Sequence, residues 1–299
     1  MLKGATSQAV IGEGLGWPEG PTLLPDGRIA FVETYRSQIS VWSADRGVER
    51  LALVGGGPNA VVAAGDGYLY VTQNGGVVGP WRAAERKPPS IQRVSPDGKV
   101  EILATEIEGR PLLAPNDLAF GPNGWLYFTD PGGAYDPVAK QNPGFLCALK
   151  PDGTGVRLLD LPPTYPNGIV VDSDGSIVWV ESYTRAVRRM MPDGTIVDLC
   201  HLPAPAVPDG LKIAADGSLY ITGVDSGGVE VVARDGAYLG RVPVGRIPTN
   251  CLFVGTTLYV TDGGHTGLST EPEMAGLLWA LEMDDISGLA IHDGHIQLK

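Results

Sequence analysis

Six polar residues, each directly after a proline, could together hold a metal ion in this 299-residue chain. The prolines recur at intervals of 40 to 57 residues, and the residues that follow them, called here the post-proline residues, all carry a side-chain oxygen: Glu19, Asn59, Asn116, Asn167, Asp209 and Thr249. Two carboxylates and three carboxamides form the oxygen-donor set that a hard divalent cation prefers. Without a cation, two buried carboxylates at one point would repel each other. The pattern therefore predicts a site for one divalent ion.

The residue types narrow the choice of ion. With no His or Cys in the set, Ca²⁺, Mg²⁺ or Mn²⁺ is favoured by hardness, although Zn²⁺ or Fe²⁺ can be accommodated. Asn and Asp also follow proline for a purely structural reason, because their side chains stabilise turns. Turn chemistry would not select Glu19, so the six positions taken together favour a metal site.

A repeated unit must bring these positions together, and the sequence contains one. Each copy has a proline, a polar residue, a short apolar run, a turn and a second run rich in Tyr, Val and Thr, as in WPEGPTLLPDGRIAFVE from Trp17 and YPNGIVVDSDGSIVWVE from Tyr165. The turns in five of the six copies contain Asp-Gly or Asn-Gly, which favour tight β-hairpins. Two further short runs lie between copies, which gives four antiparallel strands per unit.

Six such units predict an all-β fold, a six-bladed β-propeller formed by residues 1–299 as a single domain. A β-sandwich, the main alternative, would show no repetition at a regular interval. The sixth unit has only a weak fourth strand, so we expect the N-terminal segment SQAVIG to pair with it and close the ring, with the C-terminal GHIQLK as the competing candidate. Inner propeller strands begin beside the central channel, so the post-proline residues are expected at its mouth.

The loops that follow the second strand of each blade border the same end of the channel and are expected to contact a substrate. One post-proline residue, one carboxylate and the larger side chains of these loops are the candidates for substrate binding: Asn59, Asp130, Tyr35, Trp81, Tyr183 and His265.

Four motifs also carry a resemblance to a known family. WPEGP, APNDLAFGPNGWLYFTDPGG, YPNGIVVD and VPDGLKI resemble motifs of the senescence marker protein, gluconolactonase and luciferin-regenerating enzyme family. The resemblance implies a six-bladed propeller lactonase in which Glu19, Asn167 and Asp209 bind the metal and Asn116 lies beside metal and substrate. Diisopropyl fluorophosphatase is similar at the same four positions. Animal gluconolactonases have an arginine that contacts sugar hydroxyls where this chain has Ala114, so a simple aldonolactone is not implied.

The expected reaction is hydrolysis of a small lactone, sugar-type or a related cyclic ester, with the carbonyl polarised by the ion and attacked by water. Asp209 and Asn116 are the predicted catalytic residues, with Asp209 as general base and Asp130 as the alternative base. Two other functions remain open: hydrolysis of an organophosphate or another ester at the same metal site, and non-enzymatic ligand binding by a propeller whose channel ion is structural.

Composition excludes other classes of partner. A net charge of −12 and a pI near 4.7 argue against nucleic acid and anionic membranes. No apolar stretch approaches the roughly 18 residues of a membrane span, and the N-terminus lacks the apolar core of a signal peptide. Three distant cysteines without a CxxC motif indicate neither a disulfide framework nor a thiolate zinc site. We therefore expect a cytoplasmic monomer or homodimer that acts on a small molecule.

Overall fold

A computed structural model describes residues 2–264 and 269–298, and within them six four-stranded antiparallel sheets surround a common channel. The first strand, β1 (Ala5–Leu15), belongs to the last blade. Blade 1 follows with β2 (Pro18–Leu23), β3 (Ile29–Glu33), β4 (Gln38–Ser43) and β5 (Gly47–Leu53), and a single 3₁₀ turn, Thr34–Arg36, connects β3 to β4.

Blades 2 and 3 each carry a small two-stranded ribbon in addition to the four-stranded sheet. Blade 2 consists of β6 (Pro58–Ala63), β7 (Leu69–Gln73), the ribbon β8 (Val77–Val78) and β9 (Trp81–Arg82), then β10 (Ser90–Val94) and β11 (Val100–Ala104). The second ribbon, β12 (Glu106–Ile107) and β13 (Arg110–Pro111), precedes blade 3, which consists of β14 (Leu118–Phe120), β15 (Leu126–Asp130), β16 (Gly144–Leu149) and β17 (Gly155–Leu161).

The last three blades follow the same order of strands from the channel outward. Blade 4 contains β18 (Pro166–Val171), β19 (Ile177–Glu181), β20 (Ala186–Met190) and β21 (Ile196–His201). Blade 5 contains β22 (Val207–Ile213), β23 (Leu219–Val224), β24 (Gly228–Val232) and β25 (Tyr238–Pro243). Blade 6 contains β26 (Pro248–Val254), β27 (Thr257–Asp262) and β28 (Gly276–Met283), with β1 as its outer strand.

The N-terminal strand closes the ring, as the sequence predicts. Strand β1 pairs antiparallel with β28, with Ser7 opposite Glu282 and Gly12 opposite Leu278. The inner strands contact one another in the order β2, β6, β14, β18, β22 and β26, and β26 packs against β2. The predicted six-bladed propeller is confirmed, and the competing closure by GHIQLK is wrong. Among the described residues there is no helix with the length and hydropathy needed to cross a membrane.

Hydroxyl groups join each blade to the next around the channel. Near the end of the second strand in blades 1 to 5, a hydroxyl donates to a carbonyl oxygen at the start of the next inner strand. In blade 3, for example, Thr129 Oγ1 donates to the carbonyl of Asn167 at 2.6 Å, and in blade 6 Thr249 Oγ1 donates to the carbonyl of Pro18 at 2.7 Å. These bonds are buried, which strengthens them and fixes the backbone of the post-proline residues.

The hydrophobic core lies between neighbouring blades. Every residue of β3, β7, β15 and β19 is buried, because both faces of these second strands pack against adjacent sheets. Between blades 2 and 3, for example, the rings of Tyr70 and Phe120 meet edge to face with centroids 5.2 Å apart. The resulting rigid ring positions its inner strands for function.

The C-terminal strap, residues 284–298, crosses the end of the channel opposite the start of the inner strands. The amide of Leu289 donates to the Ile213 carbonyl, the amide of Ile296 to the Tyr70 hydroxyl and the amide of Gln297 to the Pro151 carbonyl. The strap thus connects blades 5, 2 and 3, and the side chain of Ile296 is fully buried between blades 2 and 3.

Truncating the Ile296 side chain tests how much the C-terminal strap contributes to the stability of the fold. We expect Ile296→Ala to lower the free energy of unfolding by about 2–4 kcal/mol, since it leaves a cavity in the core. Leu298→Ala is the matched control, because Leu298 lies two residues away with 47% of its surface exposed. Urea unfolding of both variants measures the difference, and equal losses would contradict this account of the strap.

Candidate functional site

A cavity of about 300 Å³ opens at the end of the channel where the inner strands begin. Five of the six post-proline residues line it and form what we call the channel floor: Glu19, Asn59, Asn116, Asn167 and Asp209. The sixth, Thr249, is fully buried, and its hydroxyl makes the bond to Pro18 described above. The repeat thus brings together residues that are up to 190 positions apart (Glu19 to Asp209).

Two carboxylates, Glu19 and Asp209, lie in the floor, and no cationic side chain of the described residues is among the causes that shift their pKa values. Glu19 is 3% exposed, and its Oε2 accepts the N–H of Gly20 at 3.0 Å. Burial raises its pKa well above the ordinary value, and the nearby Asp209 and Asp117 carboxylates raise it further. Burial and then Asp117 also raise the pKa of Asp209 well above its ordinary value, while a hydrogen bond from Asn167 lowers it. A cation at the floor would relieve this repulsion.

The carboxamides supply the remaining oxygens. Asn167 Nδ2 donates to Ser182 Oγ at 3.1 Å, which orients the amide. Asn116 Oδ1 is buried and has no hydrogen-bond partner within the described residues. A buried acceptor without a partner is costly, and it is the kind of atom that a bound ion satisfies. Glu19, Asn116, Asn167 and Asp209 therefore fit a hard divalent cation.

This set differs from metal centres built only from acidic, His or Cys ligands. In residues 2–264 and 269–298 no three His, Cys, Asp or Glu side chains are grouped as a metal site. Half of the protein ligands in the candidate set are carboxamides, which are neutral oxygen donors of the kind that calcium sites accept.

A second polar layer closes the channel beneath the floor. Asn250 Nδ2 donates to Asp117 Oδ2 at 3.3 Å, and the Lys212 ammonium group opposes the effect of burial on the Asp117 pKa. The other inner strands have small residues at this level, because a Cβ on Gly210 would lie 2.1 Å from Asn250 Cγ and one on Gly20 would lie 2.3 Å from the Ala60 backbone. The cavity is therefore a pocket closed at its floor.

The residues directly before the repeat prolines form the pocket wall. Five of these six pre-proline residues line the cavity, and all are apolar or aromatic: Trp17, Ala114, Tyr165, Val207 and Ile247. Trp17 and Tyr165 have backbone φ angles of 56° and 57°, in the left-handed region that side chains other than Gly rarely adopt. Strain of this kind persists where the surrounding structure enforces it, commonly at functional sites.

The structure places the predicted substrate-binding residues at different depths. Asn59 lines the cavity. Tyr35 lies behind Trp17 with ring centroids 5.7 Å apart, and Trp81 lies behind Tyr35 at 5.1 Å. Tyr183 packs against Tyr165 at 5.2 Å. His265 lies outside the described residues.

Asp130 points into the backbone of its own blade. Its carboxylate accepts the N–H groups of Leu113, Ala114 and Gly132 at 2.8–2.9 Å, and it is not among the described residues that line the cavity. Burial raises the pKa of Asp130 to about 6, while these three donors act in the opposite direction. Asp262 holds the amides of Arg246 and Ile247 in the same way. A carboxylate at the last residue of the second strand therefore fixes the loop that leads into the inner strand of the same blade.

Replacing Asp130 separates a structural role from a catalytic one. Asp130→Ala leaves one buried and two partly buried amides without an acceptor, so we expect the free energy of unfolding to fall by about 2–3 kcal/mol. The control Asp193→Ala removes one acceptor at an exposed turn and should cost less than about 1 kcal/mol. Turnover by the folded variant should fall far less than the roughly 10²-fold that loss of a general base costs. A loss of that size with unchanged stability would make Asp130 the base.

Sequence reasoning missed the second polar layer and the pocket wall. The wall residues could have been found from the sequence. When the six repeats are aligned on their prolines, the residue directly before each proline gives the pre-proline set. The layer of Asp117, Asn250 and Lys212 has a weaker signal: Asp117 and Asn250 are the only residues larger than alanine at the second position after a repeat proline.

Comparisons with known proteins agree with this arrangement. The family model described as the SMP-30/Gluconolactonase/LRE-like region matches residues 17–263. A gluconolactonase of Zymomonas mobilis is 26% identical over 293 residues, covering 87% of this chain and 80% of that protein. A luciferin-regenerating enzyme structure has a TM-score of 0.79 at 16% identity, covering 97% of this chain and 99% of its own. A structure from Agrobacterium tumefaciens described as the calcium-binding protein regucalcin has a TM-score of 0.74 at 19% identity, covering 97% and 98%.

Proposed function

Because this chain belongs to the SMP-30/gluconolactonase/LRE-like family, we propose that it is a lactonase that opens a small lactone at the channel floor. The observation that carries the proposal is the convergence of two buried carboxylates and an unpartnered carboxamide oxygen at the base of one pocket. The related Zymomonas mobilis protein is named for lactone hydrolysis, which supports the reaction class.

Glu19, Asn116, Asn167 and Asp209 would hold one divalent ion in this proposal. When bound, the ion supplies a Lewis acid for the lactone carbonyl and positive charge against the developing oxyanion. The oxygen-only donor set supports Ca²⁺, Mg²⁺ or Mn²⁺ before Zn²⁺ or Fe²⁺. The similarity to a protein described as calcium-binding points in the same direction.

The side chains of the floor perform the proton transfers and the positioning. Water oxygen attacks the carbonyl carbon while the Asp209 carboxylate accepts the water proton, and the ring C–O bond then breaks as that proton passes to the leaving alkoxide. Ligation to the ion would lower the basicity of the Asp209 carboxylate, so the proton acceptor in this proposal is the Asp209 oxygen that does not hold the ion, and a lactone, as an activated ester, requires only a modest base. The Asn116 amide group orients the lactone beside it, and the closed second layer excludes bulk water from below.

A substrate screen on metal-stripped protein tests the proposal. Lactones with five- and six-membered rings, paraoxon and a fluorophosphate are assayed by pH-stat with Ca²⁺, Mg²⁺, Mn²⁺, Zn²⁺ or Fe²⁺ added singly. We expect turnover of lactones that requires an added ion and exceeds turnover of either phosphorus ester. Faster hydrolysis of a phosphorus ester would make the protein a phosphotriesterase. Absence of turnover on every ester with every ion would make it a binding protein.

A further inference from the structure

Two aromatic clusters face each other across the pocket. Trp17, Tyr35 and Trp81 form the Trp17 cluster on the side of blade 1, with centroid distances of 5.7 and 5.1 Å. Tyr135, Tyr165 and Tyr183 form the Tyr165 cluster on the side of blade 4, with centroid distances of 5.1 to 5.3 Å. Blades 1 and 4 are opposite in a six-membered ring, so the pocket lies between the two clusters.

Each cluster presents rings to the pocket and supports them from behind. Trp17, Tyr135 and Tyr165 line the cavity, whereas Tyr35, Trp81 and Tyr183 pack behind them. Gly263 packs against the Trp17 indole, where a Cβ would lie 2.9 Å from the ring. The strained backbone at Trp17 and Tyr165, in only these two of the six pre-proline residues, therefore holds two aromatic side chains at the mouth of the pocket.

Above the channel floor, the described residues that line the cavity and could recognise a substrate hydroxyl are Asn74, Ser182, Asp225, Tyr135 and Tyr165. Among residues 2–264 and 269–298, no Arg, Lys or His lines the cavity. Asn74 Oδ1 already accepts the amides of Gly76 and Val77, and the Ser182 hydroxyl already donates to the Pro208 carbonyl. That leaves Asp225 and two tyrosine hydroxyls for the several hydroxyls of a sugar lactone, so part of their bonding to water would be lost without replacement, which is costly.

The walls suit a flat apolar group instead. Aromatic rings gain from offset or edge-to-face contact in addition to the area they bury. The cavity of about 300 Å³ is at the small end of the range for ligand pockets, which limits the ligand to about the size of two fused or linked rings. On the basis of the proposed lactonase activity, we infer that the preferred substrate is a lactone bearing an aryl group, which lies between the Trp17 and Tyr165 clusters while the ester reaches the floor.

Three lactones with the same six-membered ring test this inference. δ-Valerolactone, its δ-phenyl derivative and D-glucono-δ-lactone all release an alkoxide but differ in intrinsic reactivity, so kcat/KM for each is divided by its rate constant for hydrolysis by hydroxide before the three are compared. We expect the corrected kcat/KM to be highest for the phenyl lactone and lowest for the sugar lactone, with at least a tenfold difference between the two.

Two substitutions assign the preference to the clusters. Trp17→Leu and Tyr165→Leu keep an apolar side chain but remove the ring, and each should lower the ratio of kcat/KM for the phenyl lactone to that for δ-valerolactone by about tenfold. Because the ratio is taken within one preparation, any loss of folded protein cancels. Tyr259→Leu is the control, since Tyr259 packs on Trp42 away from the pocket and its loss should leave the ratio unchanged.

The outcomes distinguish this inference from the proposed function. A preference for the sugar lactone, or a ratio that neither substitution lowers, would overturn the aryl-lactone inference and leave a lactonase in place. Hydrolysis of none of the three lactones with any ion would overturn both. A phenyl preference that falls only when Trp17 or Tyr165 is replaced would support both.

Discussion

Asp209→Asn is expected to lower kcat/KM for a lactone by roughly 10³-fold and, at the same time, to make the metal-free protein more stable. The loss of activity follows because Asp209 is the proposed base and a proposed ligand of the ion. The gain in stability follows because Asp209 and Glu19 are buried near each other, so a neutral side chain removes a repulsion. We expect the gain to be about 1 kcal/mol or more.

The opposite signs of these two effects make the prediction specific. Lactone assays with added ion measure the first effect, and urea unfolding in the presence of a chelator measures the second. Asp235→Asn serves as the control, because Asp235 lies on an exposed turn of the same blade and should change neither quantity. An Asp209→Asn protein that is both inactive and less stable without metal would show that the carboxylate stabilises the fold and is not held there for a cation.

The metal-free protein should become less stable as pH rises, and a bound ion should reverse this. The pKa values of Glu19 and Asp209 are raised above the ordinary carboxyl value of about 4, so the folded state retains protons that the unfolded state has lost. Stability from this source is present at low pH and is lost as pH rises through the raised pKa values. A divalent cation binds the ionised carboxylates, so its stabilising effect should increase with pH.

Other ionisable groups also titrate as pH rises. The contribution of Glu19 and Asp209 is therefore measured by comparing the wild type with a variant that lacks both carboxylates. Free energies of unfolding are compared at about pH 5 and pH 8, with chelator or with saturating Ca²⁺, for the wild type and for the Glu19→Gln/Asp209→Asn double variant. The decline with pH in chelator should be larger for the wild type, and Ca²⁺ should raise the stability of the wild type alone. An equal decline in both proteins would contradict the assignment of the raised pKa values to this pair.

Local chemistry explains why the fold and the floor could be predicted from sequence. The prolines and the Asp-Gly turns mark hairpins through their own backbone preferences, and their sixfold recurrence determines the ring. Once the ring is assumed, the residue after each proline falls at the end of the channel where the inner strands begin. Glu19 and Asn116 lie there, in the channel floor. Thr249 is the exception, because its short hydroxyl side chain bonds between blades instead of facing the pocket.

The features that sequence did not predict depend on contacts between distant segments. A carboxylate at the end of a second strand can face the pocket or its own backbone, and only the path of the preceding loop makes Asp130 accept the amides of Leu113 and Ala114. The contact between Asp117 and Asn250 joins blades 3 and 6 across the channel, so no local pattern encodes it. The C-terminal strap includes GHIQLK, which alternates polar and apolar residues like a strand, and only contacts with distant blades, such as those that bury Ile296, place it across the channel instead.

The central claim is that Glu19, Asn116, Asn167 and Asp209 hold one divalent cation. Equilibrium dialysis of metal-stripped protein against Ca²⁺, Mg²⁺, Mn²⁺, Zn²⁺ or Fe²⁺, followed by elemental analysis, tests it most directly. We predict one ion per chain for the wild type and at least a hundredfold weaker binding for the Glu19→Gln/Asp209→Asn variant. Wild-type protein that binds none of these ions, or a double variant that binds one as tightly, would contradict the claim.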